Sequence, residues 1–100
     1  MHARRVFAGR ALVAFARAND TGGWRIGVAV SRRLRGAVRR NRVRRRLREA
    51  ARTSLLPASG DGMGFDVVLV GRPDALELPQ PALEEEAARV GTRLRRSPRP

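Results

Sequence analysis

The first third of the chain alternates apolar side chains with other side chains in two stretches. Phe7–Ala18 (FAGRALVAFARA) alternates loosely, with one face formed by Ala11, Val13, Phe15 and Arg17 and the other by Leu12, Ala14 and Ala16. A period of two is typical of a β-strand. Trp24–Ser31 (WRIGVAVS) alternates in the same way, and the turn-rich NDTGG at Asn19–Gly23 separates the two stretches. We therefore predict two strands joined as a hairpin.

The period then changes to that of an α-helix, which we predict from Ala37 to Leu55. One stripe about 100° wide contains the small and apolar residues Val43, Leu47, Ala50, Ala51 and Ser54. Pro57 follows and is incompatible with a helix interior. FDVVLV at Phe65–Val70 is short and apolar, as in a largely buried third strand.

A second helical pattern covers Ala82–Arg96, with apolar positions at Leu83, Ala87, Val90 and Leu94. Glu84–Glu86 near its start and arginines near its end complement the helix macrodipole. The order strand, strand, helix, strand, helix predicts an α+β fold, a small two-layer sandwich with helices on one face of a single sheet. A chain of 100 residues has room for one domain, which we place at residues 1–96, and we expect the tail at 97–100 to be disordered.

The charge of the chain indicates a polyanionic partner. All 22 basic residues are arginines, and against nine acidic residues they give a net charge of +13. Of these arginines, 11 lie in Ser31–Arg52, where Glu49 is the one acid. Charge added for solubility is usually spread over a surface, whereas this charge is concentrated on one element. Guanidinium groups stay charged and bind phosphate oxygens in a forked geometry.

Within the predicted first helix these charges repel one another. Arg39, Arg40 and Arg42 lie in the first turns and oppose the macrodipole, at about 0.3 to 1 kcal/mol each. Like-charged pairs four residues apart, such as Arg40 with Arg44 and Arg44 with Arg48, cost about 0.2 to 0.5 kcal/mol each. Bound phosphates would reverse the sign of every one of these contributions. We therefore interpret the helix as a surface that a nucleic acid neutralises.

The sequence offers little for an active site made by the protein itself. It has no cysteine, its one histidine is His2, and no pair of carboxylates has a neighbouring base. We interpret Asp61 and Asp66 as turn and strand-edge residues, and Glu84–Glu86 as a helix charge cluster rather than a metal site. No apolar run approaches the roughly 18 residues of a membrane span, so we expect a cytoplasmic protein without a membrane partner.

Charge alone does not distinguish RNA from DNA. A helix that reads the DNA major groove usually belongs to an all-helical module or a zinc finger, and the sequence predicts neither. A sheet with aromatic residues beside a basic helix better suits single-stranded or structured RNA. A ribosomal or other binder of structured RNA and a DNA-compacting protein remain alternatives at this point.

The segment Val28–Arg52 (VAVSRRLRGAVRRNRVRRRLREAAR) resembles the protein subunit of bacterial ribonuclease P. That family has an Arg-Asn-Arg signature after a strand, and a Ser followed by two basic residues. The matching residues here are Arg40, Asn41 and Arg42, preceded by Ser31, Arg32 and Arg33. FAGRALVAF resembles the first strand of the family, and VVLVGRP resembles the strand that leads into its last helix. The likeness covers nearly the whole chain.

The resemblance implies a mainly antiparallel sheet with an unusual left-handed β-α-β crossover. It also implies a ribonucleoprotein that removes the 5′ leader from precursor tRNA by metal-dependent hydrolysis. The catalytic centre of that enzyme lies in its RNA, so the protein would be an accessory subunit without catalytic residues. Its partners would be the catalytic RNA and the precursor-tRNA leader, with no small-molecule substrate. Mg²⁺ would be bound mainly by the RNA and the substrate, and not by the protein alone.

Carried over by position, the resemblance implies the RNA-binding residues Arg32, Arg33, Arg40, Asn41, Arg42, Arg44, Arg45 and Arg48. In the family a shallow cleft between sheet and helix receives the single-stranded leader, and the matching positions are Val13 and Phe15. Phe15 would either stack a base or be a plain core aromatic. Family members usually have about 20 further residues before the first strand, so we expect either a differently assigned start or a reduced leader cleft.

Overall fold

The structure is a computed structural model that describes residues 3–59 and 64–96. Its strands are β1 (Arg4–Ala8), β2 (Leu12–Asn19), β3 (Trp24–Val30) and β4 (Gly64–Gly71). Helix α1 (Ala37–Ala50) follows β3, and helix α2 (Gln80–Arg96) follows β4. A π-helical turn (Ala51–Leu55) and a 3₁₀ turn (Leu56–Ala58) extend α1, and another 3₁₀ turn (Pro73–Leu76) precedes α2. The fold is α+β, as predicted. His2, Asp61 and the predicted disordered tail (97–100) lie outside the described residues.

The four strands form one sheet in the order β1-β2-β4-β3. β2 is antiparallel to both β1 and β4, whereas β3 is parallel to β4. The sheet is therefore mainly antiparallel, as predicted, and α1 forms the crossover between the two parallel strands; the hand of this crossover stays a prediction. The predicted hairpin of β2 with β3 is wrong, because β4 lies between them.

The predicted single strand Phe7–Ala18 is also wrong. It contains the end of β1, a tight turn closed by the Gly9 N–H donating to the Leu12 carbonyl at 2.9 Å, and β2. β1 then pairs with β2 through an irregularity between Arg5 and Phe7. Of the residues between the two strands, only Gly9 is a type that favours turns. The alternation of apolar residues in the sequence therefore runs through the turn without a visible break.

The core lies on the face of the sheet that both helices cover. Strand residues of this face include Leu12, Ala14, Ala16, Phe65, Val67 and Leu69. The helices contribute Val43, Leu47 and Ala50 from α1 and Leu83, Ala87, Val90 and Leu94 from α2. Val13 and Phe15 alternate with the buried residues of β2, so their side chains lie on the opposite face of the sheet.

Both helices differ in their bounds from the prediction. The α-helical part of the first one ends at Ala50, and the wider winding of the π-helical turn brings Leu55, rather than Ser54, fully into the core. The second helix begins at Gln80 rather than at Ala82, with Pro81 in its first turn, where a missing N–H costs nothing. Consequently Glu84–Glu86 lie beyond the first turn, which contains no acidic residue.

Candidate nucleic-acid interface

The N-terminus of α1 is an exposed, positively charged end. Gly36 precedes the helix with φ +96°, a conformation that favours glycine, and no side chain caps the helix. No acidic residue lies in the first turn, while Arg39 is exposed there. Unpaired N–H groups and the macrodipole add to the arginine charge, so this end attracts anions.

Four arginines of α1 face solvent: Arg39, Arg42, Arg45 and Arg48. None of their guanidinium groups forms a hydrogen bond or an ion pair with residues 3–59 or 64–96. Arg45 lies two residues from both Val43 and Leu47, and therefore about 200° around the helix from each of these buried side chains. The four exposed arginines of α1 thus present guanidinium groups with all their donors available to a partner.

The other predicted RNA-binding residues lie next to this row. Arg32 and Arg33 are exposed in the loop before α1, where the Arg33 N–H donates to the Ser31 hydroxyl at 3.1 Å. Arg44 is half-buried, and its guanidinium donates to the Asn41 side-chain oxygen at 2.9 Å. Asn41 therefore orients Arg44, and it is itself exposed, like the four outward arginines.

Two arginines of α1 turn inwards instead. Arg40, which was predicted to bind RNA, donates to the backbone carbonyls of Ser31 and Leu34 at 2.9 Å each, and to that of Val30 at 3.4 Å. Arg46, which is not among the predicted RNA-binding residues, donates to the carbonyls of Ala75 and Leu76 at 2.7 and 2.9 Å, and to that of Leu78. The helix thus divides its arginines between the outside and the inside of the molecule.

A cleft of about 620 Å³ lies on the sheet face opposite the helices. Val13 and Phe15 of β2 line it together with Arg5, Arg10, Ser31, Arg33, Val70, Arg72, Pro73 and Asp74. Val13 pairs with Val70 across the strands, so apolar side chains form the floor and four arginines surround it. Phe15 is half-buried and stands outside the hydrophobic core, so it is not a core aromatic. The cleft is bounded by the loops after β3 and β4, rather than by a helix packed on the sheet.

One acidic side chain lies at the cleft. Arg10 and Asp74 form an ion pair of 3.4 Å between largely exposed side chains, a pair of small energetic value. The remaining three arginines make the lining basic, because Arg5, Arg33 and Arg72 exceed the one carboxylate in charge. A groove with an apolar floor and a cationic rim suits a single strand whose bases stack and whose phosphates lie outwards.

Glu86 of α2 holds the β1–β2 turn beside this cleft. Its carboxylate accepts the backbone N–H groups of Arg10, Ala11 and Leu12 at distances from 2.9 to 3.2 Å. The sequence predicts Glu84–Glu86 only as a helix charge cluster, and it does not predict this contact of Glu86 with the turn. A carboxylate that satisfies three neighbouring N–H groups fixes the turn, and with it the position of Arg10.

Asp66 lies in the central strand β4, on the same open face but away from the cleft lining; the strand-edge interpretation is wrong. It pairs with Arg17 of β2 and Arg25 of β3, the two residues beside it in the strand register. Hydrogen bonds from Arg25, at 2.9 and 3.1 Å, and from Asn19, at 2.9 Å, lower the pKa of the Asp66 carboxyl to about 2. The charged row Arg17–Asp66–Arg25 thus connects β2, β4 and β3 through ion pairs.

Within residues 3–59 and 64–96, no three histidine or carboxylate side chains come together in a way that would hold a metal ion. In the same part of the chain, neither α1 nor α2 combines the length and the apolarity that crossing a bilayer would require.

Residues 1–95 match the protein family described as Ribonuclease P. The ribonuclease P protein component of Ruegeria pomeroyi is 43% identical over 102 residues, which cover 98% of this chain and 78% of that protein. The ribonuclease P protein component of Pelotomaculum thermopropionicum is 41% identical over 83 residues, 83% of this chain and 71% of the other. The solved RNase P protein of Thermotoga maritima superimposes with a TM-score of 0.74 at 23% identity, over 91% of this chain and 83% of that one, and shares the fold.

Proposed function

The chain belongs to the ribonuclease P protein family, and we propose on that premise that it is the accessory subunit of an RNA-based endoribonuclease that removes the 5′ leader from precursor tRNA. In this proposal the catalytic centre lies in the RNA, and no protein side chain takes part in the bond cleavage. Mg²⁺ is held mainly by the catalytic RNA and the substrate. The proposed setting is the cytoplasm, without a membrane or a small-molecule substrate.

The main support for the proposal is the set of four exposed arginines of α1, called here the arginine row. Within residues 3–59 and 64–96, no hydrogen-bond or ion-pair partner is found for the guanidinium groups of Arg39, Arg42, Arg45 and Arg48. Unpaired cations on one helix repel one another, so the free protein bears an energetic cost. A folded RNA laid against the row would supply phosphates as acceptors and would convert this repulsion into charge-assisted hydrogen bonds. Arg32 and Arg33 extend the row towards the cleft.

The cleft is the proposed site for the leader. Phe15 supplies an aromatic face for one unpaired base, and Val13 and Val70 supply the apolar floor beside it. Arg5, Arg33 and Arg72 lie where the phosphates of a single strand would pass. Because Arg33 lines the cleft and lies in the loop that leads into α1, RNA docking and leader binding use adjoining surfaces.

Cleavage with purified components tests the proposal. The protein, added to cognate catalytic RNA at low Mg²⁺ and moderate salt, should accelerate removal of the leader, because cationic side chains replace part of the counterion requirement. Unchanged cleavage would contradict the accessory role and would leave a general binder of structured RNA. Equal affinity for duplex DNA and for the folded RNA would instead favour DNA compaction.

The salt dependence of RNA binding is a second test. With about six phosphate contacts, the logarithm of the association constant should fall with the logarithm of salt concentration at a slope of about −4 to −5. A slope close to zero would mean that the exposed arginines do not dock on phosphates.

A further inference from the structure

Arg40 and Arg46 are placed symmetrically about the buried stripe of α1. Arg40 lies three residues before Val43 and Arg46 three residues after it. At 100° per residue, each is rotated by about 60° from Val43, in opposite senses. Val43 is fully buried, so the two long side chains leave the helix along either side of the core rather than into solvent.

Each of these side chains ends on backbone carbonyl oxygens of a loop. Arg40 binds three carbonyls within Val30–Leu34, and Arg46 binds three within Ala75–Leu78. Arg46 also donates to the side-chain oxygen of Gln80 at 3.1 Å. Guanidinium nitrogens engaged in this way have few donors left for phosphate, in contrast to those of Arg42 and Arg45.

The two loops are those that bound the cleft. The loop held by Arg40 contains Ser31 and Arg33, both of which line the cleft. The loop held by Arg46 continues directly from Arg72–Asp74, which also line it. The Ser31 N–H in turn donates to the Gly71 carbonyl at 2.8 Å, so the starts of both loops are joined to each other.

We infer that Arg40 and Arg46 are positioning residues, which fix the two loops of the cleft from the inner sides of α1, while the outward arginines bind the catalytic RNA. The inference rests on the proposed function, because it assigns these two arginines to leader binding within that function. The same helix then docks on one RNA with its exposed arginines and shapes the groove for the other with Arg40 and Arg46. Arg40 accordingly acts through Ser31 and Arg33, not by direct contact with the catalytic RNA.

Paired variants separate the two roles in the assembled holoenzyme. Arg40→Gln and Arg46→Gln each remove an inward guanidinium, and Arg42→Gln and Arg45→Gln are the matched outward controls with the same change of charge. Two quantities are measured for each variant. The first is the salt slope of protein binding to the catalytic RNA. The second is the leader preference, the ratio of affinities for precursor tRNA with a long single-stranded leader and for the same tRNA with one leader nucleotide.

The inward variants should lower the leader preference roughly five- to thirtyfold, the factor that corresponds to about 1 to 2 kcal/mol, and leave the salt slope unchanged. The outward variants should flatten the slope by about one unit each and keep the leader preference. A purely structural defect would weaken both substrates equally and would not change their ratio. Flattening of the slope by Arg40→Gln, with an unchanged leader preference, would overturn the inference and make Arg40 an RNA ligand.

If Arg40→Gln does not fold, Arg40→Lys is measured in its place. It keeps the charge but replaces the planar fork by a single ammonium group, which cannot reach the same three carbonyls in the same geometry. The expected result is a reduced leader preference, an unchanged slope and faster amide hydrogen exchange at 31–34. A wild-type leader preference in this variant would contradict the inference. Failure of the proposed function is distinguishable, because the unmodified protein would then show no leader preference and no acceleration of cleavage.

Discussion

Arg46 in α1 and Gln80 at the start of α2 bind each other in both directions. The Arg46 Nε donates to the Gln80 side-chain oxygen at 3.1 Å, and the Gln80 amide nitrogen donates to the Arg46 backbone carbonyl at 3.0 Å. Gln80 is the first residue of α2, so this exchange fixes where the second helix starts against the first.

Gln80→Ala should therefore lower the free energy of unfolding by about 1 to 3 kcal/mol, because it leaves part-buried partners on Arg46 unsatisfied. Urea denaturation measures the change. Glu84→Ala, in the same helix and at a side chain without a hydrogen bond to the described residues, is the control and should stay within about 0.5 kcal/mol of the wild type. An equal effect of the two substitutions would show that the exchange with Arg46 contributes nothing particular.

The contact between Glu86 and the β1–β2 turn gives a prediction about Gly9. A Cβ at Gly9 would overlap the Glu86 carboxylate, which three backbone N–H groups hold in place. Gly9→Ala should destabilise the protein, and so should Glu86→Ala, by about 2 to 3 kcal/mol for the loss of bonds to a charged acceptor. The double variant should cost clearly less than the sum, since the overlap disappears with the carboxylate.

Thermal or urea unfolding of the four proteins in this cycle measures the coupling. Glu85→Ala is the control, because it removes only an exposed pair with Arg89 at 3.2 Å, worth at most about 0.5 kcal/mol. Additive effects of Gly9→Ala and Glu86→Ala would mean that the carboxylate moves away freely.

The predicted and the observed strands differ mainly because strand order and turns depend on contacts between distant parts of the chain. Alternation predicted correctly that Leu12 and Val13 point to opposite faces. It did not predict that β4 would insert between β2 and β3, because strand order depends on partners far away in the sequence. Likewise the turn at Gly9 is held by the Glu86 carboxylate of α2, and the residues around Gly9 in the sequence do not indicate this contact.

The arginines of α1 show the same limit at the candidate site. Their density indicated a nucleic-acid surface, but density does not tell an outward guanidinium from an inward one. The spacing from Val43 contains part of that information, because Arg40 and Arg46 flank Val43 and Arg45 lies opposite to it. Arg39 is only about 40° around the helix from Val43, yet it is exposed in the first turn. What the sequence alone lacks is the pair of loops whose carbonyls receive the two inward side chains.

Asp66 gives a prediction about acid stability. Hydrogen bonds from Arg25 and Asn19 lower its pKa from the ordinary 3.8 to about 2 in the folded protein. The stabilisation is therefore fully present above pH 3.8 and is lost as the pH falls through about 2. Asp66→Asn should remove the part of the acid-induced loss of stability that falls in this window.

Urea unfolding at a series of pH values from 5 to 2 tests this, with the comparison made between variant and wild type because other carboxyl groups titrate in both. Arg25→Gln is the companion variant. It removes the partner with the largest effect on the Asp66 pKa, so it should abolish part of the same pH dependence. Identical pH profiles for Asp66→Asn and the wild type would show that the charged row does not stabilise the folded state.

Phe15 provides the most direct test of the proposal that the cleft binds the leader, because its cross-strand neighbour offers a matched control. Phe15 and Val68 are partners in the β2–β4 register, and both side chains lie on the open face, but only Phe15 lines the cleft. Phe15→Ala should weaken binding of a leader-bearing substrate by about 1 to 3 kcal/mol, the usual worth of one base stacked on an aromatic ring. Binding of the substrate with one leader nucleotide should not change. Val68→Ala should leave both affinities unaltered, and Phe15→Trp should keep the leader affinity, because an indole also offers a stacking face. Equal losses from Phe15→Ala and Phe15→Trp would mean that the shape of the cleft floor, and not stacking, determines how the leader binds.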